Sequence, residues 1–279
     1  MPIKDLLLLL DGTAASRSRL ELGLGLAQRF SARVTAMALV PHPYVPAMVG
    51  VHLPVELVQA QIAEAERIAD RVLREAGTLA AERGVEMVTV TAAGPVDRLQ
   101  AAFTRWARQV DLSVVGQPDD STDLTVALPP ETAFMDTGRP ALIVPFVGAP
   151  ATGFRRIMLA WDGSREAARA AHDALPFLRD AERTSVIVID PEQIAERVGD
   201  PPGAEICAHL ARHGVRAEVT CLPSGGIGVG NALLAQAATE SAELLVMGGY
   251  GHSRMRQMIL GGATRELLAQ MTVPVLLSH

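Results

Sequence analysis

Between Met247 and Glu266 the chain reads MGGYGHSRMRQMILGGATRE. Gly248-x2-Gly251 is followed, after nine residues, by Gly261-Gly262. Glycine has no Cβ, so its backbone can turn through positive φ and bring N–H groups against an anion. Gly261-Gly262 leads into a helical stretch, whose first N–H groups and positive dipole end favour negative charge. Ser253 and Thr264 offer hydroxyl donors, and Arg254 and Arg256 add charge. The chemistry is that of holding phosphate. A turn that merely joins a strand to a helix uses the same glycines, so spacing leaves both readings open.

Other groups with chemical potential are weaker. Asp162-Gly163-Ser164 follows an apolar run; Asp162 could face a ribose or a cation, and Ser164 has the side chain of a helix N-cap. The glycines of 224–230 miss the G-x-G-x-x-G spacing of a dinucleotide fingerprint and read as a turn capped by Asn231 that could border the same cleft. His209 and His213 lie four apart with Cys207 nearby. A structural zinc needs four ligands, and no second cluster supplies them, so no metal ligands are assigned. There is no G-x-S-x-G elbow and no lysine after a glycine loop. Lys4 is the sole lysine of the chain, whereas phosphoryl transfer relies on positioned positive charge. No catalytic residues are assigned, and nucleotide hydrolysis is expected to be slow at most.

The elements that must position these groups occur twice. IKDLLLLLDGT (3–13) aligns with FRRIMLAWDGS (154–164), which places Asp11 against Asp162. Pro41, Gly84, Gly116 and Pro140 pair in order with Pro191, Gly214, Gly248 and Pro274. The offset shrinks after the first of these pairs, so the first copy carries an extra segment near 42–62. The boundary falls in 147–153, rich in small residues, Gly and Pro. Two domains are expected, 1–147 and 154–279. In the second, strands are expected at 156–161, 184–189, 215–221, 244–247 and 273–277, with helices at 166–178, 204–213, 231–241 and 263–270. In the first, Val58, Ile62, Ala65, Ala69, Val72, Ala76 and Leu79 form a helical apolar stripe. Continuous apolar strands, such as the five leucines of 6–10, predict burial on both faces. Each copy is therefore expected to be an α/β doubly wound unit, a mostly parallel five-stranded Rossmann-like sheet with helices on both faces. Ligands in such sheets bind beyond the carboxyl ends of the strands.

Composition sets the outer limits. Of 279 residues, 49% are apolar and 4% aromatic, which excludes a disordered chain and leaves the core to aliphatic residues. A net charge of −6 gives no general pull toward nucleic acid or an anionic membrane. Cys207 and Cys221 cannot form a disulfide framework, and the leucine run, bracketed by Asp5 and Asp11, is too short for a leader or a span. A cytoplasmic protein with no nucleic-acid or membrane partner is the expectation.

The order of Asp162, the glycine spacing and the closing strand TVPVLL resembles the universal stress protein (UspA) family. That family's ATP-binding motif is Gly-x2-Gly-x9-Gly-(Ser/Thr), and the resemblance covers nearly the whole chain as two tandem domains. It implies an adenine nucleotide, ATP with or without Mg2+, along the strand ends of the second domain. Residues implicated are Ala160, Asp162 and Val188, then Met247, Gly248, Gly251, Gly261, Gly262 and Ala263, with Ser253, Arg254 and Thr264 as further donors. Gly262 departs from the motif, because family binders carry a hydroxyl there. In the first copy Asp119, Pro129, Pro130 and Glu131 replace Gly251, Gly261, Gly262 and Ala263. Prolines lack the N–H a phosphate would use, so this copy is expected to be a degenerate partner without a phosphate site. The resemblance implies a stress-response role exerted through conformation or an unknown protein partner. It also implies pairing of 141–145 with 273–277 as an intramolecular pseudo-dimer, and leaves a further homodimer open. Two other readings stay open: a nucleotide-independent scaffold of the same family, and an ATP-consuming enzyme.

Overall fold

The computed structural model describes residues 2–42, 55–117, 128–147, 153–249 and 262–279. They form two compact units, Ile3–Thr137 and Gly138–His279.

The first unit runs β1 (Asp5–Leu10), α1 (Ala14–Phe30), β2 (Arg33–Pro41), α2 (Val55–Glu82), β3 (Met87–Gly94), α3 (Val96–Ala107), β4 (Leu112–Gly116) and α4 (Pro130–Met135). Its strands are parallel in the order β3-β2-β1-β4. Such an order needs a helical crossover after each strand. It also buries the central strand on both faces, and Leu6, Leu7 and Leu8 are fully inaccessible. Thr13 caps α1 by accepting the Ser16 N–H, and Ser31, at φ 51°, ends the helix in the left-handed region. Of the expected apolar stripe in α2, Ala69 and Ala76 are buried and Val58, Ile62, Ala65, Val72 and Leu79 are half-buried; Leu73 and Ala80 complete the buried face, while Val55 and Leu57 are exposed.

The second unit contains β5 (Ala141–Val144), β6 (Arg156–Ala160), α5 (Arg165–Asp173), α6 (Leu175–Leu178) and β7 (Arg183–Ile189). A 3-10 turn (Pro191–Ile194), α7 (Ala195–Val198), α8 (Ala204–Arg212), β8 (Ala217–Leu222) and α9 (Val229–Thr239) follow. It closes with β9 (Leu244–Gly248), α10 (Gly262–Gln270) and β10 (Val275–Ser278). The order β8-β7-β6-β9 repeats that of the first unit, and β10 extends it in parallel. β5 then joins β10 antiparallel, with Leu142 opposite Leu276. The single helix expected over 166–178 is two, because Pro176 has no N–H to continue the ladder past α5. The doubly wound α/β class is as expected. Among the described residues, no helix is long and apolar enough to cross a membrane.

Candidate functional site

The parallel register of the second unit brings the carboxyl ends of β6, β7 and β9 together. Ala160 lies beside Ile187, one residue before Val188, and Leu159 lies beside Val246, one residue before Met247. The Trp161 N–H donates to the Ile187 carbonyl at 2.8 Å, which carries Asp162 out over the strand ends. Gly163 turns the chain at φ +70°. Asp162 Oδ1 accepts the Ser164 N–H at 3.0 Å, and Ser164 Oγ accepts the Ala167 N–H at 3.1 Å, capping α5. Asp162 Oδ2 accepts no hydrogen bond among the described residues, and no described cation pairs with the carboxylate.

Gly248 ends β9 under the first turn of α5. A Cβ there would fall 2.5 Å from the backbone of Glu166 and Ala167, so the glycine is what lets the capped helix approach the strand. Beyond it, the Gly249 N–H donates to the Ser278 carbonyl at 2.8 Å, and His279 Nδ1 lies 3.0 Å from the Gly249 carbonyl oxygen. The glycine-rich run therefore starts from a position tied to β10. Gly251, Ser253, Arg254 and Gly261, together with His252 and Arg256, lie outside the described residues. Description resumes at Gly262, the first residue of α10, followed by Ala263 and by Thr264, which is 4% exposed.

The glycine-rich segment before α9 is part of this neighbourhood. In the first unit a single residue, Pro95, joins β3 to α3, whereas residues 223–228 join β8 to α9. That added length, glycine-rich and present in one copy, is the sequence signal that marks it. Asp190, at φ 48°, accepts the Ser224 N–H at 2.7 Å. Hydrogen bonds from the Ser224 side chain and backbone hold the Asp190 carboxyl below its usual range. At the other end of the segment, a Cβ on Gly230 would lie 2.6 Å from the Ala263 carbonyl oxygen and one on Gly228 2.8 Å from Glu266 Oε2. The start of α9 thus abuts the start of α10, and Ile227 and Val229 are exposed alongside.

The first unit fills the corresponding place with its own side chain. Asp11 accepts the Thr13 N–H at 2.9 Å and the Thr13 hydroxyl, as Asp162 accepts Ser164. Here, however, the Arg19 guanidinium, 4% exposed, pairs with Asp11 Oδ2. A Cβ on Gly116, the counterpart of Gly248, would collide with Arg19 Nη1. Burial works against ionisation of Asp11, but Arg19 and the Thr13 hydrogen bonds outweigh it and hold the carboxyl below its usual range. Eight residues after Asp162, where Arg19 stands after Asp11, the second unit has Ala170. Nothing in the local sequence marks this ion pair, because arginine on a helix is ordinarily a solvated residue. Pro129 precedes α4 and Pro130 begins it, where a proline at the first helical position is favourable.

The rings of His209, on α8, and His213, just after it, are 4.7 Å apart. Among the described residues no three His, Cys, Asp or Glu side chains converge to hold a metal ion. Cys207 is half-buried and Cys221 exposed, both as free thiols.

The fold is that of the universal stress proteins, and the sequence resembles theirs. A universal stress protein of Thermus aquaticus, encoded in the QAH/OAS sulfhydrylase 3' region, is 28% identical over 134 residues, 44% of this chain and 98% of that protein. A universal stress protein from Archaeoglobus fulgidus superposes with a TM-score of 0.73 at 18% identity, covering 98% of this chain and 95% of that one. A protein of unknown function from Pseudomonas aeruginosa superposes with a TM-score of 0.58 at 14% identity, covering 99% and 92%. No family model matches the sequence.

Proposed function

We propose that the chain is a tandem universal stress protein of the cytoplasm, one ATP binding in its second domain (154–279) and its first (1–147) serving as a degenerate partner. The observation that carries this reading is the contrast between two matching aspartates. Asp11 is neutralised by Arg19 over Gly116. Asp162 has no described counter-cation and keeps one oxygen free at the strand ends.

In this reading the adenosine lies along Ala160, Asp162, Val188 and Met247. The phosphates lie against the amides of Gly248, Gly251, Gly261, Gly262 and Ala263, with Ser253, Arg254 and Thr264 as further donors. Mg2+, when present, neutralises phosphate charge. The output in this reading is a change of conformation or of partner, with nucleotide hydrolysis slow at most. The antiparallel β5–β10 pair supports pairing of the two copies within the chain, with homodimerisation as a further possibility.

Titration calorimetry of the full chain with Mg-ATP tests the proposal. Saturable binding of one nucleotide per chain, lost in Asp162→Ala, is the expected result. No heat of binding, together with no nucleotide released on heat denaturation of the purified protein, overturns it. That outcome favours a nucleotide-independent scaffold, the reading supported by Gly262 in place of a hydroxyl residue.

A further inference from the structure

β3 ends the strand order of the first unit and pairs only with β2. The Val34 N–H donates to the Glu86 carbonyl at 2.9 Å and the His42 N–H to the Gly94 carbonyl at 2.8 Å. Backbone groups alternate in direction along a strand. Glu86, Val88, Val90, Ala92 and Gly94 therefore face β2, and Met87, Thr89, Thr91 and Ala93 turn their N–H and C=O groups outward. Among the described residues, nothing pairs with those outward groups. Such an edge accepts another strand unless a charge, a proline or a bulge guards it. β8, the matching edge of the second unit, carries the exposed carboxylate of Glu218. β3 reads MVTVTAAG, with no charge. Val88 is 43% exposed, and Thr89, Thr91 and Ala93 are exposed too.

The edge is complementary to itself. A two-fold axis through Val90 lays a second β3 antiparallel, with Thr89 opposite Thr91 of the second copy and Met87 opposite its Ala93. These are the outward residues, so each facing pair exchanges both of its hydrogen bonds. On the other face Val90 meets its own copy and Val88 meets Ala92, which covers the exposed valine. The same register sets Glu86 opposite Gly94 of the second copy. A Cβ on Gly94 would stand 3.5 Å from Cβ and Cδ of Arg98, so the Arg98 stem lies over that glycine. Glu86 and Arg98 are both exposed, and neither has an ion-pair partner among the described residues. The axis thus brings Glu86 of each copy toward Arg98 of the other, the reciprocity of an isologous interface. A helix-covered sheet can extend in this way, since β5 already joins β10 antiparallel.

We propose that β3 is a homodimer edge, at which two copies of the chain pair antiparallel about Val90 with Glu86 and Arg98 closing both ends of the seam. The proposal gives homodimerisation a surface and does not depend on the nucleotide reading.

Sedimentation equilibrium of the full chain, from micromolar to millimolar loading, tests it. A monomer–dimer equilibrium is expected. Thr89→Pro removes an outward N–H that the monomer does not use, and is expected to weaken the dimer roughly tenfold or more. Glu86→Arg and Arg98→Glu each set like charges at both ends of the seam and are expected to weaken it several-fold. The double variant is expected to regain the native affinity. A chain that stays monomeric throughout overturns the proposal and leaves the edge to a strand of another protein. A dimer as tight in Thr89→Pro as in the native chain overturns it as well. Should Thr89→Pro not fold by circular dichroism, the exposed charge variants decide. Unchanged affinity in both single reversals then overturns the seam, and weakening that the double variant repairs upholds it.

Discussion

Arg19 reaches from α1 across Gly116 to bind the carboxylate of Asp11, and it does so with almost no exposure to solvent. The two partners are not equivalent. The Asp11 side chain is 42% exposed, whereas that of Arg19 is 4% exposed. Removing the carboxylate leaves a buried guanidinium unpaired, but removing the guanidinium leaves a carboxylate that water can reach.

Asp11→Asn is therefore expected to destabilise the first unit by about 3 kcal/mol, and Arg19→Met by about half as much or less. Urea unfolding of the two variants at neutral pH checks the order. Equal losses would mean that the buried charge is not what sets the cost.

The same pair predicts a dependence on acid. The folded-state pKa of Asp11 is depressed, so its contribution is present above the unfolded value of about 3.9 and is lost as pH falls through the lower, folded value. The stability gap between the native chain and Asp11→Asn should narrow as pH is taken from 5 toward the acid limit of folding, and stay level between about 5 and 7. Denaturant curves across that range test the sign.

Gly248→Ala forces a methyl group into the backbone of Glu166 and Ala167. A loss of about 3 kcal/mol is expected, since neither element can yield like a flexible side chain. Gly225→Ala meets open space at φ +60° and should cost only about 1 kcal/mol, from backbone strain. Comparable losses at the two positions would remove helix approach as the reason for Gly248.

Asp190 pins the start of the glycine-rich connection through Ser224. Asp190→Ala should release it and bring faster proteolytic cleavage within 223–230, with the unfolding midpoint little changed because the half-buried Asp190 carboxyl holds only this connection and no core side chain. Mass spectrometry of timed digests identifies the cleaved bonds.

The paired Asp-Gly-hydroxyl turns, the doubled strand order and the apolar strands are written into the chain itself. They are local: a short polar residue caps a helix, glycine turns the chain, and leucine runs need cover on both faces. Asp162 and Gly248 could be picked out for the same reason. What the sequence cannot carry is which distant groups meet. That Gly248 serves helix approach follows from the crossover that lays α5 over β9. That Arg19 answers Asp11 while Ala170 leaves Asp162 open depends on how far a side chain reaches from α1 across β4. That Glu266 stands against Gly228, 38 positions earlier in the chain, depends on α9 and α10 converging at their first turns. Spacing and residue type decided the elements; packing decided which charges are answered, because Coulomb and hydrogen-bond energies fall off within a few ångströms in space and take no account of separation along the chain.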